Sequence, residues 1–360
     1  MVRVVHISDS HLGCSMFQLA ERREDSRRCF RKAIDMAMRH KPDVIVHTGD
    51  LFDSPDPAPE DLNTALEAFR GIKDQVEVFV LQGNHDLHYG FRRGISPIRT
   101  LEAAGVVKGT GDKVYARHVI DVDGESVEIH LISWTRMEEV TRLAHSIRPS
   151  EETALLFCHD IPDDREKMPP DFDYIGFGHG HNFWLDEELR MGRPGSTCVV
   201  DWKKELEGKK KLIVIDISDA GNKYLTETLN DVREFKLVRG LNITGMGPDE
   251  ANGFLRKKIA ELSVRKMTSP IVIIEVNGMV DAETDNSIRR AELLEHGLKT
   301  LDPLFLHIEP NWRCLGARPV VLREPLNVER SVADYMEQTG ETDSQSLLSL
   351  LREIEEGSAN

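Results

Sequence analysis

Gly83-Asn84-His85-Asp86 stands one residue beyond the apolar run Val76-Glu77-Val78-Phe79-Val80-Leu81. A β-rich run that ends on a glycine puts the next side chains on a strand-tip loop, where an amide, an imidazole and a carboxylate face a common pocket. Four residues carry little weight alone. The same succession of strand and polar tip recurs through the first half of the chain, and the recurrence decides the fold.

Working outward, Val2-Arg3-Val4-Val5-His6-Ile7 runs into Ser8-Asp9-Ser10-His11. The helical spacing of Phe30, Ala33, Ile34, Ala37 and Met38 then predicts a helix over 20–39 that faces a sheet. Arg22, Arg23, Arg27, Arg28 and Arg31, balanced by Glu21, Glu24 and Asp25, read as its solvated face. Asp43-Val44-Ile45-Val46-His47 ends on Thr48-Gly49-Asp50-Leu51-Phe52-Asp53, and a proline-rich turn leads into a helix over 60–71. Two βα units are complete before residue 86, which argues for a layered α/β domain with functional groups at the strand ends.

Further on, helices are expected over 95–104 and 137–145 and a strand over 127–134. Ala154-Leu155-Leu156-Phe157-Cys158 ends on His159-Asp160, and Tyr174-Ile175-Gly176-Phe177 on Gly178-His179-Gly180-His181. Between 189 and 229 the pattern holds only strands and turns, so antiparallel strands complete the sheet. From 235 the pattern becomes a separate βαβαβ module, with strands over 237–243, 271–276 and 304–308 and helices over 248–262 and 284–298. The expected domains are 1–232, 233–325 and an acidic tail, 326–360, of two short amphipathic helices.

The formal net charge of −16 argues against a generic polyanion binder, because phosphate affinity comes from clustered Lys and Arg. A nucleic-acid reading therefore rests on bound metal, a partner or local basic groups, of which Arg92, Arg93, Lys203, Lys204 and Lys209 to Lys211 are the candidates. The five cysteines are widely spaced without a C-x-x-C pair, so they read as free thiols. Neither a membrane-length apolar run nor a signal segment is visible, and a cytoplasmic location is expected.

The strand tips carry Asp9, His11, Asp50, Asn84, His85, His159, His179 and His181. All but His85 suit as oxygen or imidazole donors to borderline divalent metals. Seven donors exceed one ion, and two ions divide them naturally: Asp9, His11 and His181 on the first, Asn84, His159 and His179 on the second, Asp50 bridging. Ions ~3.5–4 Å apart suit phosphoester hydrolysis. His85 is left beside them to steady the phosphate or protonate the departing oxygen, with Asp53 as the group that orients it. His47 and His130 lie inside strands and read as satisfied core residues, and Asp86 as a residue that ties down its loop.

Asp9-Ser10-His11, Gly49-Asp50-Leu51-Phe52-Asp53, Gly83-Asn84-His85-Asp86, His159 and Gly178-His179-Gly180-His181 resemble, in order, the five motifs of calcineurin-like metallophosphoesterases. Pro194-Gly195-Ser196, Asp201-Trp202 and the βαβαβ module make the resemblance nearest to the SbcD/Mre DNA double-strand break repair nucleases. It implies a four-layer β-sandwich flanked by helices, followed by a small capping domain that guides DNA. It also implies two manganese ions and His85 as the catalytic histidine. The implied activities are a three-prime to five-prime exonuclease on duplex ends and a single-strand endonuclease. The implied partners are DNA, a second copy in a homodimer, and an ABC-type ATPase of the SbcC/Rad kind. Many members carry a second histidine where this chain has Asp53, which favours an Asp53–His85 pair as in the wider superfamily. Residues 326–360 are shorter than the family's usual tail and read either as a reduced ATPase-docking element or as a segment that packs on its own domain. The alternatives to a nuclease are a phosphodiesterase for cyclic or small nucleotides and a non-enzymatic DNA-end tether.

Overall fold

Strand β1 (Val2–Ile7) sorts its side chains onto two faces with period two. Val5 and Ile7 join one buried cluster and Val2 and Val4 another. The structure is a computed structural model and describes residues 1–88, 94–162, 165–205, 209–230, 232–262 and 269–315. The 326–360 tail, Arg92 and Arg93 lie outside these.

The chain divides into two units, the first centred on Met1–Leu237 and the second on Val238–Ser263, Ile273–Asp302 and the chain from Leu306. In the first unit, β1 is followed by α1 (Ala20–Arg39), β2 (Val44–His47), α2 (Pro59–Arg70), β3 (Glu77–Val80) and α3 (Pro97–Ala103). Next come β4 (Tyr115–Val122), β5 (Glu125–Ile132), α4 (Met137–Ser146), β6 (Thr153–Cys158) and β7 (Tyr174–Phe177). The short β8 (Trp184–Asp186) and β9 (Met191–Arg193) precede β10 (Lys211–Ile217) and β11 (Lys223–Thr228). These strands form a five-stranded sheet ordered β11-β10-β1-β2-β3 and a six-stranded sheet ordered β4-β5-β6-β7-β9-β8.

Three apolar clusters give four layers. Phe30, Ala33, Ile34, Phe69, Ile98 and Leu101 of α1, α2 and α3 pack on Val5, Ile7, Ile45 and Val80. Val4, Val44, Val46 and Phe79 meet Ile129, Leu131, Leu155 and Phe157 between the sheets. Val140 and Ala144 of α4 cover Leu156 and Ile175 on the outer face of the second sheet. Each such side chain contributes ~1.5–3 kcal/mol when fully buried. The result is the helix-flanked sandwich expected from the strand-tip pattern. All five cysteines are free, and no helix among the described residues is long and apolar enough to cross a membrane.

Three details depart from the sequence reading. The α1 face expected in solvent buries Arg22, whose Nη1 donates to Asp25 Oδ2 at 2.8 Å, while Arg27 Nε donates to Asp61 Oδ1 of α2 at 2.6 Å. Strand β4, for which no strand was expected, lies at the edge of the six-stranded sheet. In the second unit, β12 (Phe235–Asn242), α5 (Pro248–Glu261), β13 (Ile271–Val280) and β14 (Phe305–Cys314) follow the expected order with β13 central. The single helix expected over 284–298, however, is two, α6 (Ala282–Ser287) and α7 (Arg290–Leu301). Asn252 satisfies the break, donating to Ser287 O and accepting from Arg289 N, each at 3.0 Å.

Glu128 on β5 is buried, bonded to Arg117, and accepts from Ser150 N at 2.8 Å and Glu151 N at 3.3 Å. Burial opposes its charge, but Arg117 and the two N–H groups prevail and hold its pKa at about 2, against an ordinary 4.5. A depressed carboxyl pKa stabilises the fold above the ordinary value and loses that contribution as pH falls through the folded one. Glu128→Gln is therefore expected to cost on the order of 2 kcal/mol at pH 7. Denaturant melts should show the gap to wild type closing between about pH 4.5 and pH 2.

Candidate metal centre

The parallel registers Ile7↔His47, His47↔Val80 and Ile132↔Cys158, Cys158↔Phe177 align the carboxyl ends of β1, β2 and β3 in one sheet and of β5, β6 and β7 in the other. The loops after those ends deliver every residue singled out at the strand tips. Their backbones are strained: Asp9 (φ 49°), His11 (φ 44°), Asp50 (φ 49°) and His179 (φ 61°) all occupy the left-handed region. Non-glycine residues held there cost ~1–3 kcal/mol each and persist where the surroundings over-determine them. Here Asp9 N donates to Gly49 O at 3.1 Å and His11 N to Asp50 O at 3.0 Å, lacing the first tip to the second.

Two glycines are obligatory in this packing. A Cβ on Gly83 would lie 2.1 Å from Asp50 Oδ1, and one on Gly49 (φ 99°) would lie 2.5 Å from His159 Nδ1. Asp86 ties the loop as expected, accepting from Gly83 N at 2.9 Å, Phe52 N at 3.0 Å and Leu51 N at 3.3 Å.

Donor atoms of Asp9, His11 and His181 lie within 4.8 Å of one another, as do those of Asp50, His159 and His179. Asn84 Oδ1 belongs with the second group, 3.0 Å from His159 Nε2 and 2.9 Å from His179 Nδ1. Asp50 Oδ2 sits between the groups, 3.5 Å from His159 Nε2 and 3.8 Å from His11 Nε2. The structure thus brings all seven donors together in the division expected for two ions.

The electrostatics fit cations. Asp9 Oδ1 and His11 Nε2 are buried without a hydrogen-bond partner. Burial, then the neighbouring Asp50 charge, raises the Asp9 carboxyl well above its ordinary range. Burial also opposes ionisation of Asp50, yet its pKa is held below the usual value by the polar groups facing it, the rings of His159 and His11 and the His85 N–H that donates to its Oδ1 at 2.8 Å. Burial lowers the pKa of His11 and His159, which keeps both rings neutral as ligation requires. Two close buried carboxylates and orphaned donors fit a pair of divalent cations, which would supply the missing counter-charge.

The residues behind the donors differ in part from expectation. Asp53 does hold His85, but through its backbone: His85 Nδ1 donates to Asp53 O at 3.0 Å, whereas the Asp53 carboxylate accepts from His11 Nδ1 at 3.1 Å. The side-chain pair expected between Asp53 and His85 is thereby corrected, since the carboxylate is already bound to a ring of the first group. His85 stays close, its ring centroid 4.7 Å from that of His11.

Glu205, not among the residues singled out at the strand tips, accepts from His181 Nδ1 at 2.7 Å. Burial opposes its charge, yet His181 and Lys210 hold its pKa at about 2. Lys210, counted among the phosphate contacts, is instead buried against Glu205. His47 and His130 are core residues, His47 Nε2 lying 2.9 Å from Ser10 Oγ and His130 Nδ1 2.8 Å from Tyr115 Oη, but they are not the fully satisfied rings expected, since His47 Nδ1 and His130 Nε2 have no hydrogen-bond partner among the described residues.

Above the donors opens a cleft of about 780 Å3 lined by Asp50, Asp53, His85, His179, His181, Arg193 and Lys204 among others. Asp50→Ala is expected to weaken uptake of two manganese ions alike, at least tenfold, and His179→Ala that of one. Manganese titration followed by electron paramagnetic resonance reads both, and wild-type uptake by Asp50→Ala would place Asp50 outside the centre.

The model of the calcineurin-like phosphoesterase family matches residues 2–183, a stretch that holds all seven donors. Among curated proteins the chain is similar to those named DNA double-strand break repair protein Mre11. That of Aeropyrum pernix is 37% identical, over 93% of this chain and 88% of its own. That of Thermoplasma acidophilum is 29% identical over 78% of each. That of Sulfolobus acidocaldarius is 24% identical over 99% of this chain and 96% of its own.

Proposed function

The chain belongs to the calcineurin-like phosphoesterase family, among relatives named Mre11, and from that premise we propose that it is a manganese-dependent nuclease of DNA double-strand break repair. The enzyme class, a metal-dependent phosphodiesterase, comes with the family. DNA as the substrate is the step the proposal adds. The observation that carries it is the division of seven donors into two groups around Asp50, beside a histidine fixed by Asp53.

When bound, two divalent ions would supply a water nucleophile at neutral pH and charge neutralisation for the phosphoryl oxygens. The chain's own residues orient that chemistry. His85 donates its Nδ1–H to the Asp53 carbonyl, so Nε2 is the atom left for the cleft that His85 lines. As the imidazolium, protonated on both nitrogens, it would deliver the Nε2 proton to the departing sugar oxygen or donate it to a phosphoryl oxygen. Arg193 adds positive charge to the cleft wall, where a strand's phosphates would pass, and Lys204 stands beside it paired with Asp201 at 3.4 Å.

The proposed activities are three-prime to five-prime exonuclease on duplex ends and endonuclease on single strands. We assign 233–325 to guiding the duplex and 326–360 to docking an ABC-type ATPase of the SbcC/Rad kind, in a homodimer. Removing residues 326–360 should weaken co-purification with that ATPase while leaving cleavage of short DNA unchanged. Equal ATPase recovery would remove the docking role.

The decisive assay incubates end-labelled duplex and single-stranded DNA with manganese, alongside bis(p-nitrophenyl) phosphate. Wild type should degrade both DNAs. His85→Asn should lower cleavage by ~10²–10⁴-fold with manganese uptake unchanged. Hydrolysis of the small ester without cleavage of any DNA would overturn the nuclease reading in favour of a small-nucleotide phosphodiesterase.

A further inference from the structure

We propose that Glu205 is a positioning residue for the first ion: its buried carboxylate holds His181 in the tautomer that presents Nε2 to the metal. The inference rests on the dinuclear reading of the site. An ionised carboxylate only accepts hydrogen bonds, so the 2.7 Å contact from His181 Nδ1 to Glu205 Oε1 requires the proton on Nδ1 and leaves Nε2 bare.

The carboxylate is itself immobilised. Glu205 Oε1 accepts from Asp201 N at 2.6 Å and Val200 N at 3.1 Å, and Oε2 from Ser196 Oγ at 2.9 Å and from Lys210. The same cluster grips the other end of His181. Ser196 N donates to His181 O at 3.1 Å and Lys210 Nζ to it at 3.4 Å. Ring and main chain of one donor are thus fixed by one buried cage, which a simple Glu205–Lys210 pair would not need.

The two donor groups differ in this respect. Both histidines of the first have carboxylates behind them, His181 with Glu205 and His11 with Asp53. In the second group, His159 Nδ1 donates to the neutral Thr48 carbonyl at 2.8 Å, and the exposed His179, through Nδ1, meets among the described residues only Asn84 of the centre itself. A carboxylate behind an imidazole makes it a stronger donor. Glu205 therefore acts on the affinity of one ion and not on both.

Two measurements on the full chain test this. In metal-free protein labelled with ¹⁵N-histidine, at mildly alkaline pH, the His181 signal, assigned by its loss in His181→Asn, should report a proton on Nδ1. A proton on Nε2 would overturn the proposal. In manganese titrations Glu205→Gln should lower the affinity for one ion by ~10–100-fold and leave the other unchanged. Unchanged affinity for both ions, or an equal loss at both, would overturn it. If Glu205→Gln fails to fold, the wild-type tautomer decides alone. If the wild type takes up fewer than two ions, the dinuclear reading fails, while the tautomer still decides whether Glu205 sets the ring.

Discussion

Asp9 and Asp50 place two buried carboxylates side by side, with Asp9 Oδ1 and His11 Nε2 left without hydrogen-bond partners among the described residues. Such an arrangement is unfavourable in the protein alone. Desolvation acts on both acids and the Asp50 charge on Asp9, and the protein's own compensation falls on Asp50, through the polar groups facing it, the His85 N–H among them. Asp9 receives only the Ser8 hydroxyl and the pull of Arg193. A cation at the first group removes the imbalance. The donor geometry, the neutral histidines and the carboxylates behind them all follow from that requirement.

The fold meets the cost of this centre with rigid elements. Four donors sit at positive φ, and each is laced to a neighbouring tip or seated on a parallel strand end. Asp86 shows how closely the tips depend on one another: one carboxylate on the third tip caps N–H groups of the second and of its own loop. The tips also pack so closely that neither Gly83, against Asp50, nor Gly49, against His159, leaves room for a Cβ.

How much of this was legible depended on whether the cause was local. Period-two alternation in β1 and helical spacing in α1 are local, and both elements formed as read. The strand-tip donors were legible because ligand chemistry restricts residue type and parallel strands restrict position. Glu205 was not, because it lies 24 residues from His181 within Lys203-Lys204-Glu205, a run that resembles solvated surface. Asp53 was half legible: residue type suggests a carboxylate near histidine but cannot tell which histidine it meets, nor that the main-chain carbonyl serves the other. The break between α6 and α7 was hidden for the same reason, since Asn252, which satisfies it, is 35 residues from Ser287.

A buried chain of hydrogen bonds ties the centre to the interior of the sandwich. The Tyr174 hydroxyl lies 3.0 Å from His6 Nδ1, His6 Nε2 2.9 Å from Thr48 Oγ1, and Thr48 Oγ1 donates to Ser8 Oγ at 2.8 Å, which donates to Asp9. Burial lowers the pKa of His6 to about 3, so its ring is neutral and the donors run head to tail from Tyr174 to Asp9. The Thr48 carbonyl meanwhile receives His159. One residue of β2's tip thus contacts the support of both donor groups, and the chain crosses from β7 in one sheet to β1 in the other. Relative displacement of the sheets would strain Asp9 and His159 together. The spacing of the two donor groups is therefore set by the packing between the sheets, which no single strand-tip motif encodes.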